Sequence, residues 1–220
     1  LKCISEYKHV IWDWNGTLLD DVWICMEIIN KMLYKRSLPI LDQERYKTIF
    51  GFPIKDYYQK AGFDFDMEPF EDLAKEYIEE YDSRSLECKL HLGVMDMLQK
   101  IRSLGISQSI LSASNEESLR SAIRNFGIQE YFSYINGLSN HYAESKIEIG
   151  SRWLETQELM PSEVLIIGDS EHDYEVAKAM NVDCMLVSHG HQSFERLMNC
   201  NKVVYESLLQ MHTVISRFAG

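Results

Sequence analysis

The chain has 220 residues, 45% of them apolar and 25% charged, a globular balance that excludes a disordered, collagen-like or disulfide-stapled polypeptide. Its 22 Lys and Arg against 34 Asp and Glu leave a formal net charge of -12, a field that repels phosphate backbones and anionic lipid, so no nucleic acid and no membrane partner is expected. Five scattered cysteines without a C-x-x-C pair, no apolar run near the ~18 residues of a bilayer span, and a start without a secretory apolar stretch point to a reducing, cytoplasmic setting.

From the N-terminus, His9-Val-Ile-Trp-Asp13 is a β-branched and aromatic run that stops at Asn15-Gly16, which predicts a buried strand opening into a turn. Val22, Cys25, Met26, Ile29, Met32 and Leu33 then recur at helical spacing, and Leu38-Pro39 ends that helix. Helical patterns continue over 44–50, 55–61 and 69–81, broken at Gly51-Phe52-Pro53 and Gly62, with no strand pattern between 20 and 88. This stretch is read as an all-helical insertion. After His91-Leu-Gly93 the pattern alternates: helix 94–104, strand 106–112, helix 116–126, strand 132–136, helix 145–158, strand 163–167, helix 171–180 and strand 182–187. Such alternation requires parallel strands with crossover helices, so the fold class is α/β with a Rossmann-like parallel sheet. A last helix, 205–218, is expected on the outside.

Ligands of such sheets sit beyond the carboxyl ends of the strands. Those ends read Asp13-Trp14-Asn15-Gly16-Thr17, Leu111-Ser112-Ala113-Ser114 and Ile167-Gly168-Asp169-Ser170-Glu171-His172-Asp173. Carboxylates at the ends of separate buried strands repel unless a cation lies between them, and hard oxygen ligands suit Mg²⁺. The residues alone leave Asp13 open to three readings: metal ligand, nucleophile, or strand-end Asx turn. Asn15-Gly16-Thr17 offers turn N–H groups and a hydroxyl, a cradle for an anion such as phosphate. Asp169 and Asp173 can face one ion, although their spacing equally fits helix capping.

Taken together, Asp13-Trp-Asn-Gly-Thr-Leu-Leu-Asp20, Ser112 after an apolar strand, Lys146 at a helix start and Gly168-Asp169-Ser-Glu-His-Asp173 resemble, in order, the four motifs of the haloacid dehalogenase-like hydrolases. The helical insertion resembles the small cap of the phosphoglycolate phosphatase-like branch. The resemblance implies a core domain of 1–19 and 88–220 and a cap domain of 20–87, hinged at 18–21 and 85–92. It implies that Asp13 is the nucleophile of a phosphatase acting on a small phosphorylated metabolite. Ser112, with Ala113, Gly16 and Thr17, and Lys146 would hold the phosphoryl oxygens, and Mg²⁺ would be bound by Asp13, the Asn15 carbonyl and Asp169 with help from Asp173. Specificity would reside in the cap, with Gly51-Phe52-Pro53 facing the site.

Four positions invite a plainer interpretation. Ser114 competes with Ser112 for the hydroxyl role. Lys146, followed by Ile147 where the family often has proline, resembles a surface charge when taken alone. His189 and His191 are expected to face solvent, and Trp12 and Trp14 to fill core or line the pocket. The departure that matters is Asn15, where the family's phosphatases usually carry the aspartate that acts as general acid and base. An amide cannot do so, and the loss costs about 10²–10⁴ in rate. An Asn15→Asp change is therefore expected to speed turnover. Two alternatives follow: a phosphonoacetaldehyde-type hydrolase with a cap lysine such as Lys55 as Schiff base, or a non-catalytic phospho-ligand binder.

Overall fold

The computed structural model describes residues 2–138, 145–201 and 203–218. In chain order the elements are β1 (His9–Trp12), β2 (Leu19–Asp20), α1 (Val22–Lys35), α2 (Gln43–Ile49), α3 (Ile54–Ala61), α4 (Phe70–Arg84), β3 (Lys89–Leu90), α5 (Val94–Ser103) and β4 (Ser107–Asn115). There follow α6 (Glu116–Asn125), β5 (Tyr134–Leu138), α7 (Lys146–Glu155), β6 (Val164–Gly168), α8 (Glu171–Met180), β7 (Asp183–Val187), α9 (Phe194–Cys200), β8 (Val204–Tyr205) and α10 (Leu208–Phe218). Among the described residues, no helix is long and apolar enough to cross a membrane.

Six strands form one parallel sheet in the order β5-β4-β1-β6-β7-β8, so β1 lies inside it and is buried along its length. Side chains alternate across a strand, and β1 divides accordingly. Val10 and Trp12 join an apolar cluster that continues through Leu33, Tyr46, Tyr58 and Leu73 of the helical insertion. Ile11 faces the opposite cluster with Leu111, Trp153 and Val176. Trp12 donates to Gln108 (3.0 Å), and Trp14 is buried 6.1 Å from the Phe126 ring, so both tryptophans are core.

The insertion leaves and re-enters the α/β core through β2 and β3, paired antiparallel with Leu19 opposite Leu90 and Asp20 opposite Lys89. Two paired residues carry no periodic signal, which is why the sequence shows no strand there. The same holds for β8, which takes Tyr205 out of the expected helix, and for α9, whose buried apolar contribution is Leu197 alone. The segment 139–144, expected as a connection, lies outside the described residues.

Candidate active site

At the end of β1, the Asp13 amide donates to Ile167 O (2.9 Å), which extends the ladder with β6 by one residue and fixes the carboxylate at the sheet edge. The chain then turns through Gly16 at φ +73°, where a Cβ would lie 2.4 Å from Asp169 Oδ2 and 2.5 Å from His191 Cδ2. Only glycine permits both the backbone conformation and that approach. Thr17, fully buried, places its hydroxyl 3.0 Å from Asp13 Oδ2 and 3.2 Å from Asp169 Oδ1.

β6 delivers Asp169, and Ser170 begins α8 with a capping box in which its hydroxyl and Asp173 satisfy each other's backbone. Asp173 Oδ2 accepts from Ser170 Oγ (2.7 Å), Ser170 N (3.0 Å) and Asp169 N (3.2 Å). Lys146 opens α7 behind the Ser145–Glu148 capping box and is buried, its ammonium donating to Asp13 Oδ1 (2.6 Å) and Asp173 Oδ1 (2.5 Å). It is a site residue rather than a surface charge.

Burial governs the electrostatics. It lifts Asp13 to about 6, aided by Asp173 and opposed by Lys146. It lifts Asp169 to about 8, with the His191 charge opposing and Asp13 and Asp173 adding to the rise. At Asp173 the ammonium of Lys146 and the Ser170 hydrogen bonds outweigh burial and hold the carboxyl below its ordinary value. Oxygens of Asp13, Asp169 and Asp173 lie within 4.8 Å of one another. Burial and the neighbouring carboxylates crowd Asp169 into holding a proton that a cation can replace, and this hard-oxygen set fits a divalent cation such as Mg²⁺. Asp173 has its oxygens engaged with Lys146, Ser170 and the Asp169 amide, an arrangement that suits the expected role of steadying the other ligands.

The remaining expected residues divide. Ser112, expected as a strand end, is buried within β4, which runs on to Asn115 past the register shift that follows Leu111; its hydroxyl oxygen accepts from Ser114 N (3.0 Å) and its own proton is uncommitted among the described residues, beside half-buried Ala113. Ser114 instead donates to Asn15 Oδ1 (2.5 Å). The Gly16 amide, expected to cradle an anion, points inward to Asp21 Oδ1 (2.8 Å) and Leu19 O (3.0 Å). The Thr17 hydroxyl likewise faces carboxylates. Lys55 is exposed, its ammonium over the rings of Phe65 and Phe70 at 5.4 and 5.9 Å, and is not among these residues.

The histidines correct the expectation of a solvent-facing loop. His191, 4% exposed, donates its backbone N–H to Asp169 Oδ2 (2.6 Å), and its ring nitrogens lie 3.2 Å from Asp21 Oδ1 and 2.8 Å from the Tyr46 hydroxyl. Burial works against an imidazolium there, but the Asp21 carboxylate outweighs it and holds the pKa up at about 8. His189 stacks on His91 at 3.8 Å. The signal that could have found His191 is topological: it follows β7 on the same sheet edge that carries Asp13 and Asp169.

Helices of the insertion close over this edge. Lys47 Nζ donates to Ser188 O (3.1 Å), Gln192 Nε2 to Phe50 O (3.1 Å), and Arg196 to the carbonyls of Thr48 and Phe50 while pairing with Glu171. The Phe50 ring stacks on His191 at 4.6 Å, and Phe52 lies 4.7 Å from His172.

The chain is 25% identical over 184 residues to the tyrosine-protein kinase PtkA of Mycobacterium tuberculosis, covering 83% of this chain but 62% of that relative's length. It is 21% identical over 199 residues to a phosphoglycolate phosphatase of Synechococcus elongatus, covering 87% and 88% of the two chains. Among solved structures, a haloacid dehalogenase-like family hydrolase from Streptococcus pneumoniae superposes with a TM-score of 0.81 at 19% identity over 97% of this chain and 99% of that one. The family pattern of the haloacid dehalogenase-like hydrolases matches residues 10–187, from within β1 to the end of β7 and so across the segments that carry Asp13, Ser112 and Asp169. This chain belongs to the haloacid dehalogenase-like hydrolase family.

Proposed function

We propose that the chain is a Mg²⁺-dependent phosphatase of a small phosphorylated metabolite, phosphoglycolate-like in size and charge, working through an aspartyl-phosphate on Asp13. The observation that carries this reading is the buried Asp13 carboxylate, held at 2.6 Å by Lys146, with the Thr17 hydroxyl between it and Asp169 and three carboxylates gathered within 4.8 Å. The phosphoglycolate phosphatases among the relatives support the substrate class, and the cysteines at 25, 88, 184 and 200, none in a disulfide, support a reducing, cytoplasmic setting.

An Asp13 oxygen forms the bond to phosphorus as the bond to the leaving oxygen breaks, and water then cleaves the acyl phosphate, returning the carboxylate and releasing phosphate. Lys146 and the free hydroxyl of Ser112 orient the phosphoryl oxygens, one as a point charge and the other as a hydrogen-bond donor. Asp13, Asp169 and the Asn15 carbonyl would hold Mg²⁺, which would neutralise phosphoryl charge. Asp173 steadies Lys146 and the Asp169 backbone. Asn15 donates no catalytic proton, which makes turnover slow or favours substrates with good leaving groups. The same residue favours a second reading, a binder of phosphorylated ligands with little turnover.

Phosphate release from p-nitrophenyl phosphate and a panel of phosphorylated metabolites, with Mg²⁺ and with EDTA, tests the proposal. Release that requires Mg²⁺ and disappears in Asp13→Asn supports it. Release that persists in Asp13→Asn overturns it, and saturable metabolite binding without release selects the second reading.

A further inference from the structure

We propose that Asn15 and Asp21 are a matched amide–carboxylate pair, with Asp21 as the positioning residue that holds the Asn15 amide and the Gly16 turn beside Asp13. The pairing stands on geometry alone; its effect on rate rests on the phosphatase reading.

Asn15 Nδ2 donates to Asp21 Oδ2 (2.7 Å) and to the Tyr81 oxygen (2.8 Å), while Tyr81 donates its own proton to Asp21 Oδ2 (2.8 Å). Asn15 Oδ1 accepts from Ser114. A hydroxyl can donate or accept, but a carboxylate only accepts, so Asp21 decides which way the amide faces. All the hydrogen-bonding capacity of the amide protons is then used.

Asp21 itself is fully buried and receives, besides Asn15 and Tyr81, the Gly16 amide (2.8 Å) and the His191 ring (3.2 Å), with the Cys25 thiol at 3.7 Å. These donors leave its oxygens committed, so although Asp21, Cys25 and His191 lie close enough to share a metal ion, their hydrogen bonds account for the cluster. Asp21 occupies the position before α1 where an aspartate ordinarily caps the helix, yet its side chain makes no capping bond. It is turned toward the 15–16 turn instead.

A carboxylate at position 15 would meet Asp21 Oδ2 across a distance of 2.7 Å with the Tyr81 proton as the one donor shared by both. Two acceptor oxygens at that separation are short of a donor. The expected gain from Asn15→Asp alone therefore gives way to a different rule: the donors of this turn, from Gly16, Tyr81 and the His191 ring, serve one carboxylate, at 21, and position 15 accepts a carboxylate only when 21 becomes an amide. In the swapped pair the amide at position 21 donates to the carboxylate at position 15, while the amide oxygen accepts from Gly16 and His191.

The test compares the wild type, N15D, D21N and the swap N15D/D21N by thermal unfolding and by Mg²⁺-dependent p-nitrophenyl phosphate hydrolysis. Each single change is expected to lower Tm by about 3–10 °C, and the swap to recover at least half of the summed loss. A swap that folds when a single variant does not is the same rescue. N15D is expected to be no faster than the wild type, and the swap at least about 10²-fold faster than N15D. Additive Tm losses, or a swap that fails to fold, overturn the pairing, as does an N15D protein with wild-type Tm and the full rate gain. If no protein in the series, wild type included, releases phosphate, the phosphatase reading fails while the Tm cycle still decides the pairing.

Discussion

At Asp169 and His191 two buried groups hold protons more tightly in the folded chain than in the unfolded one, at about 8 in each case. Asp169 contributes stability that is complete below its ordinary value of 3.8 and is lost as pH climbs toward about 8. His191 contributes stability that is complete below 6.5 and is lost through about 8. His9 and His189, pushed down by burial to about 4 and about 3, charge in the unfolded chain below 6.5 and so act outside the upper window. In EDTA, Tm is therefore expected to fall between about pH 7 and 8.5. Because a divalent cation competes with the Asp169 proton, the Tm rise on adding Mg²⁺ is expected to be larger at the upper end of that range. A Mg²⁺ shift that is flat with pH, read by scanning fluorimetry, contradicts the placement of the cation at Asp169.

The helix termini carry the site's precision. Ser170 caps α8 through Asp173 N and donates to the same Asp173 carboxylate that grips Lys146, so one hydroxyl joins the helix start to the Lys146–Asp13 contact. Ser170→Ala is expected to cost about 1–2 kcal/mol in urea unfolding, the range of a lost N-cap. A cost near zero would mean that the cap is replaced by solvent. The second half of the chain was legible at this scale because short continuous apolar runs such as Val164–Gly168 alternate with 3.6-period runs, and because Asp13 and Asp169 directly follow such strands, while Ser112 follows the apolar part of β4. The two-residue strands and α9 were not legible, since pairing and burial of that length depend on neighbours far away in sequence. Asp21 and His191 escaped for a related reason. They meet across 170 positions, and nothing local distinguishes them from a helix cap and a loop histidine.

On the scale of the molecule, the described conformation is closed: Asp13 is 8% exposed and the insertion helices sit over Asp169 and His191. Arg196 is the side chain that ties the carbonyls of Thr48 and Phe50 to Glu171 on the core, so it is the contact to release if those helices are to lift. Arg196→Ala is expected to speed amide exchange across 43–53, by mass spectrometry, while leaving β1 and β6 protected. Equal exchange in both proteins would show that other contacts, such as Tyr46 on His191, carry the closure. The antiparallel ribbon that joins the insertion to the core has a further consequence. Since departure and return occur at side-by-side residues, Asp20 and Lys89, the excursion between them can lengthen, shorten or change sequence without disturbing the spacing of the strands beneath. Under the proposed function, selectivity for the organic part of a substrate is thereby free to diverge while Asp13 and Asp169 keep their places, and a short turn joining those two residues is the natural excision point for a minimal core.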